Sequence, residues 1–308
     1  RLRHAYVKLN WENTELLAGQ YWHPLFVPGC FSGVISFNTG APFQPFSRNP
    51  QIRLTHKLGK LSISGALSAQ RDFTSALGSA PLRYSSIPNI STIFSFENKD
   101  VDKKTDLLAG IVLDYKTIQP LLTTTKGGKT FINNEKVTGR SVSAFLRYKN
   151  PSFTFKLQGI YGENLYDLTM LGGYAVKAIT DTAKNTVSYT TINAITGWTE
   201  FQTNGEKIQF GLWAGYTQNI GANDSILNYK IGITDLSRGS NVKSIIRVSP
   251  RVVFIQGKFN FATEFEYTTA SYATKEQDGT LNRDVFGVVT KTENVTNMRL
   301  LLSVIYNF

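Results

Sequence analysis

Three histidines, one cysteine and an excess of cations are what this 308-residue sequence offers for chemistry. His4, His23 and His56 are scattered, with no HExxH or related metal-ligand spacing. Cys30 has no second cysteine for an internal disulfide, and no CxxC pattern surrounds it. No GxSxG occurs, and no serine stands at a recognisable spacing from a histidine and an acid. The residues for covalent, metal or cofactor chemistry are therefore missing, and neither an enzyme activity nor a cofactor is expected. Charge remains. Lys and Arg total 33 against 22 Asp and Glu, a net +11, compatible with nucleic acid, anionic lipid or anionic solutes as partners.

The elements that must carry these charges are short alternating segments. Thirteen fit the period-two template, at about 3–11, 15–25, 50–57, 60–71, 90–97, 106–116, 139–149, 153–163, 188–202, 206–218, 243–255, 259–270 and 293–308. Short turns at 12–14, 57–60, 98–106, 149–152, 203–206 and 256–258 alternate strictly with long connections near 27–49, 72–88, 117–139, 164–187, 219–242 and 271–292. A compact soluble domain rarely holds so many long loops, and the turns of a β-sandwich do not segregate by length. An outer-membrane barrel has tight turns at one end and long loops at the other. Mean hydropathy of −0.17 and the lack of an 18-residue apolar run exclude a membrane-spanning helix but not a barrel. The expected fold is all-β, a single antiparallel transmembrane β-barrel domain over 1–308. Because bacterial single-chain barrels have an even strand number, 14 or 16 strands are expected in total, with one or more N-terminal strands preceding those visible.

In such a barrel the apolar face meets lipid and the polar face lines the lumen. Phe153, Phe155, Leu157 and Tyr161 oppose Thr154, Lys156 and Gln158, and Phe259, Phe261, Phe265 and Tyr267 oppose Asn260, Glu264 and Glu266. Tyr148, Tyr161, Tyr216, Tyr267, Tyr306 and Trp11 stand where membrane-interface girdles would place them. By parity the lumen receives Lys8, Arg53, Lys116, Arg147, Lys149, Lys156, Arg247, Arg251 and Arg299, against Glu97, Asp114, Glu264 and Glu266. The turn at 256–258 puts Arg247 opposite Glu266, an ion-pair ladder with Arg251 and Glu264. The turn at 149–152 puts Arg147 opposite Lys156, with no acidic partner visible. Nine cations against four acids read as an anion-favouring wall. A nucleic-acid binder would gather bases and aromatics on one surface; here they take opposite faces.

Two stretches resemble known families. The terminal alternating strand, with Tyr306 and Phe308 as Tyr-x-Phe, resembles the C-terminal signature of Gram-negative outer-membrane proteins, and implies that the last phenylalanine faces lipid and helps close the barrel seam. Residues 1–26 resemble the paired strands of DcaP-like trimeric porins, through Arg1, Arg3, His4, Ala5, Tyr6, then Leu17, Gly19, Gln20 and Trp22. This resemblance implies an outer-membrane porin that assembles as a homotrimer.

The connection 27–49 is unlike a surface loop, being apolar and rich in Gly and Pro. It is a candidate for an inward constriction or a latch onto a neighbouring subunit, with Phe31, Phe37, Phe43 and Phe46 as its packing residues and Arg48 as the charge it presents. The expected function is a water-filled, anion-favouring channel for small anionic or polar solutes. Outer-membrane lipid and lipopolysaccharide are the expected partners. A barrel that scaffolds other outer-membrane proteins is the alternative.

Overall fold

A computed structural model describes residues 3–36 and 40–307. Thirteen antiparallel strands form one continuous wall, each hydrogen-bonded to the next in chain order. We number them β1 (Ala5–Asn10), β2 (Thr14–Trp22), β3 (Arg48–Leu58), β4 (Leu61–Ser68), β5 (Asn89–Asp100), β6 (Thr105–Ile118), β7 (Val137–Lys149), β8 (Phe153–Glu163), β9 (Thr186–Thr203), β10 (Ile208–Ala222), β11 (Val242–Gln256), β12 (Phe259–Ala273) and β13 (Thr292–Tyr306). Every strand expected from alternation is present, and short and long connections fall at opposite ends. No helix is long and apolar enough to cross a membrane.

Burial is inside out relative to a soluble sandwich. Along β10, Ile208, Phe210, Leu212 and Tyr216 are exposed while Trp213 and Thr217 are fully buried. Along β12, Phe261 and Phe265 are exposed and Glu264 and Glu266 buried. Apolar side chains pointing outward and polar ones inward are what a hydrocarbon solvent selects. Eight residues separate Phe153 from Tyr161 and Phe259 from Tyr267. At about 3.4 Å per residue and a tilt of about 40°, these aromatics lie about 20 Å apart along the membrane normal, close to the height of a barrel's apolar band.

Among the described residues β1 pairs only with β2, and β13 only with β12. The wall is therefore an open path, and both end strands are exposed on both faces. The expected seam closure at the C-terminal strand is not seen: Phe308 lies outside the described residues, and β13 has one partner.

The long connections expected to be irregular carry structure of their own. Segment 69–88 holds the short helix α1 (Ala80–Tyr84), and 119–136 holds a hairpin of Thr123–Lys126 with Lys129–Ile132. The strand Gly172–Asp181 folds back on β9, whose 18 residues extend the wall past the membrane. Leu82, Ile118, Val137, Tyr174, Val176, Tyr189 and Leu236 pack a second apolar core among these connections. Its residues come from six separate segments, so no single-segment pattern announces it.

Candidate functional site

The described residues of the connection 23–47 fold inward and lie against the inner wall as a strap. Leu25, Cys30 and Phe43 are fully buried in a core shared with Phe145, Trp198 and Trp213. Phe43 meets Trp213 edge-on at 5.3 Å, and Trp198 lies 6.5 Å from Trp213. Both tryptophans belong to the polar, lumen-facing parity, where alternation did not expect them. The signal was Gly-Leu-Trp-Ala-Gly at 211–215: a Cβ on Gly215 would stand 2.4 Å from Trp213 and 2.8 Å from Phe43. Glycine there clears the seat on which the strap rests.

Charged wall residues hold the strap by its backbone. Arg147 Nη1 donates to the Gly29 carbonyl at 2.7 Å, and Lys156 Nζ to that of Phe31 at 3.0 Å. Next along the strap the polarity reverses. The amide of Gly33 donates to Glu200 Oε2 at 2.6 Å and that of Ile35 to Glu264 Oε2 at 2.8 Å. Further on, Arg247 Nη1 donates to the Ala41 carbonyl at 3.1 Å and covers the Phe43 ring at 5.2 Å. Gln158 and Thr196 add bonds to the carbonyls of Leu25 and Phe43. Glycine at 33 lets the clamp close without a shift, since a Cβ would fall 2.7 Å from Glu200 Oε1 and 3.0 Å from Arg251 Nη2. Cations bind carbonyls and carboxylates bind amides, so each buried backbone group finds the complementary partner.

The same wall charges pair with one another. Arg147 and Lys156 do stand opposite in register, but each has an acid: Asp106 at 2.7 Å from Arg147 and Glu200 at 3.6 Å from Lys156. Arg251 also pairs with Glu200, and Lys116 is buried against Asp167. Arg299 and Arg247 both reach Glu266. The ladder of β11 and β12 runs two residues off the expected register, with Arg247 opposite Thr268 and Arg251 opposite Glu264. Lys8 pairs with Glu15 at 3.1 Å. Arg53 instead donates to Gln51 and to the Trp22 carbonyl at 2.8 Å, and Lys149 is exposed at the turn end of β7. Neither has a carboxylate partner among the described residues. Glu97 pairs with Lys99, and Asp114 accepts from Asn89 and Ser91. Sequence parity therefore undercounted inner acids: Glu15, Asp106, Asp167 and Glu200 were missed. Asp167 sits in a long connection, and Glu200 lies on β9, two residues after Trp198 on the same inward face.

The expected strap residues divide. Phe43 is buried, Phe46 is half-buried beside Trp22 and Phe73, and Phe31 remains partly exposed beneath Lys156. Phe37 lies outside the described residues. Arg48 does not present its charge to a narrowing. It is buried, paired with Asp72 at 2.9 Å and flanked by the rings of Trp22 and Phe46. Phe46, two residues before it, belongs to this aromatic packing, and Asp72 from a separate loop neutralises it.

The histidines are separate. His4 packs edge-on or tilted against Tyr6, Tyr21 and Trp22, and His56 bonds Thr14 on β2. His23 is buried at the foot of the strap, against Asn89 at 3.1 Å and near Asp114 at 3.7 Å. Burial pushes its pKa below 6.5. The Cys30 thiol, buried against the carbonyls of Leu146 and Leu157, is pushed up to about 11, chiefly by burial.

No family model matches the sequence, and no curated protein does. Among solved structures, the outer-membrane-expressed OmpT of Vibrio cholerae superposes with a TM-score of 0.54 at 9% identity, over 99% of this chain and 80% of that one. Its in-vitro folded form superposes with a TM-score of 0.50 at 10% identity, over 95% and 76%. At such identities the likeness concerns the fold alone. That fold, with its lipid-facing exterior, makes this chain a β-barrel protein of the Gram-negative outer membrane.

Proposed function

We propose that the barrel is a water-filled channel for small hydrophilic solutes, narrowed from within by the strap 23–47. The observation that carries this reading is the strap itself, clamped by its backbone to a polar, charged inner wall. A protein that only needed an anchor would have no use for such a wall. The strap contacts the inner faces of β7 to β12, and we place the path along the part of the inner wall that holds the half-exposed Lys8 and Arg299 and the half-buried Arg53. Closing that path requires further strands between β1 and β13, because unpaired strand edges are not tolerated in hydrocarbon. We include those strands in the proposal, with a homotrimeric assembly suggested by the DcaP-like resemblance of residues 1–26. No catalytic step forms part of it.

Anion preference follows in a narrower form than a count of cations suggests. Most inner cations are neutralised by neighbouring acids, so the excess positive charge rests on Arg53 beside the path and Lys149 at its turn-side rim. A modest anion preference, set mainly by Arg53, is the expectation. Purified protein in planar bilayers should give discrete conductance steps, with a reversal potential under a KCl gradient that favours chloride. Bilayers that stay sealed would defeat the channel reading. They would support a plugged barrel that scaffolds other outer-membrane proteins, a reading favoured by the complete burial of Gln158, Glu200, Ser249 and Glu264 beneath the strap.

A further inference from the structure

The outer face holds one patch that generic lipid contact does not explain. At the long-loop end, a groove of about 630 Å³ opens between the strand ends of β3 and β4 and the segment after α1, lined by Ile52, Leu67, Leu82, Arg83 and Ile87. Beside it lies a second groove of about 410 Å³, lined by Ile90, Thr92, Leu113, Tyr115, Arg140 and Tyr161. Strand register shows that the two are continuous: Ile52, Leu67, Ile90, Tyr115 and Arg140 are successive cross-strand partners in one transverse row. One row nearer the turns, Gly65 pairs with Thr92, and open space surrounds the Gly65 Cα. Two small residues among Leu, Ile and Tyr make a dent in the surface at this row.

Three cations border this dent on the long-loop side. Arg83, Lys136 and Arg140 are all exposed. Lys136 Nζ donates to the Ser85 carbonyl at 3.0 Å, which ties it to the end of α1 beside Arg83. The nearest acid on the row, Glu163, accepts from the Arg140 backbone amide at 3.0 Å and from Asn223 at 3.3 Å. None of the three cations has a carboxylate within ion-pair distance among the described residues. An outward arginine at mid-membrane would be strongly disfavoured, whereas near the interface it is tolerated and attracts anionic headgroups.

We propose that this surface is a specific site for one phosphorylated, multi-acyl lipid of the outer leaflet, of the lipid A class. Its acyl chains lie in the joined grooves and its phosphates are bound by Arg83, Lys136 and Arg140. The long-loop end of an outer-membrane barrel faces the cell exterior, where such a lipid forms the leaflet. The site is independent of whether the lumen conducts.

Native mass spectrometry of the detergent-solubilised protein, titrated with bisphosphorylated lipid A, tests it. Wild type should retain one lipid per chain. Arg83→Gln with Lys136→Gln and Arg140→Gln should weaken retention about a hundredfold. Dephosphorylated lipid A should bind wild type as poorly as the bisphosphorylated form binds that variant, and so should zwitterionic phosphatidylethanolamine. Gly65→Phe, which fills the dent without touching charge, should also weaken retention. Heat-modifiable gel mobility verifies that each variant is folded. Should the triple variant fail to fold, Arg140→Gln alone should weaken retention about fivefold. Undiminished retention in the folded charge variant, or equal binding of the dephosphorylated lipid, overturns the proposal.

Discussion

The inner wall has two halves that use similar residues for different ends. Beneath the strap, from β7 to β12, the inner cations and carboxylates apart from Lys149 at the turn end are buried or half-buried, and each is bound to an opposite charge or to the strap's backbone. Beside the proposed path, from β1 to β4 and on β13, Lys8 and Arg299 are half-exposed, each paired with one acid, and the guanidinium of Arg53 has no acid within ion-pair distance among the described residues. The difference teaches that an inward charge on a barrel strand has no fixed role. A charge under a docked segment is a structural clamp, and its field is cancelled locally. A charge beside water keeps its field and acts on ions.

The clamp half can be broken at Glu200, which binds Gly33, Lys156 and Arg251 together. Glu200→Ala should destabilise the folded barrel by about 3–5 kcal/mol, because it leaves buried cations without their partner. Urea unfolding in lipid vesicles measures the loss. The tryptophan emission of Trp198 and Trp213 should shift to the red as Phe43 leaves its seat. A change below about 1 kcal/mol, the ordinary value of an exposed pair, would mean that Glu200 is hydrated and the strap is held by other contacts. The charge-reversing pair Arg147→Glu with Lys156→Glu belongs to the same class. It should loosen the strap and change conductance, since both side chains bind strap carbonyls, and it should not act as a clean selectivity switch.

On the open half, Arg53→Gln should lower the chloride preference at a stability cost of about 1.5–3 kcal/mol, for the bonds its guanidinium gives Gln51 and the Trp22 carbonyl. The effect should shrink with salt, since the Debye length falls from about 10 Å at 0.1 M to about 3 Å at 1 M. If Arg53→Gln leaves the reversal potential where it was while Lys156→Gln moves it, the two halves have been assigned the wrong way round.

The wall was readable because its determinants are local. Period-two alternation needs only the strand itself, and all thirteen strands follow from it. The strap was readable as an oddity: an apolar, Gly- and Pro-rich stretch cannot be a solvated loop. Its seat was hidden, because Trp198 and Trp213 occupy a parity that alternation reserves for polar residues. The charge pairs were hidden for a different reason. Asp106, Glu200 and Asp167 meet their cations through strand pairing and loop packing, and Arg147 and Asp106 are 41 residues apart in sequence. Residue counting along one face sees the cations of a strand and misses the acids that neighbouring strands or loops bring to them. Only the register resolves which charges remain free.

The smallest expected effect lies where the two halves join. His23 leads from β2 into the strap and is buried against Asn89 and Asp114, with Lys116 and Arg53 also acting on it. Burial outweighs the pull of Asp114 and lowers its pKa, so the docked strap favours the neutral imidazole. An undocked strap exposes His23 to water, where it protonates near pH 6.5. The docked state therefore keeps its full margin above about pH 6.5 and loses it as pH falls from there through the lowered docked value. Acidification from pH 7.5 to pH 5 should thus raise the frequency of conductance fluctuations and the protease sensitivity of the strap, with the barrel wall intact. His23→Gln keeps a hydrogen-bonding side chain and removes the titration, so it should flatten this pH dependence. A pH response unchanged in His23→Gln would move the sensing group elsewhere.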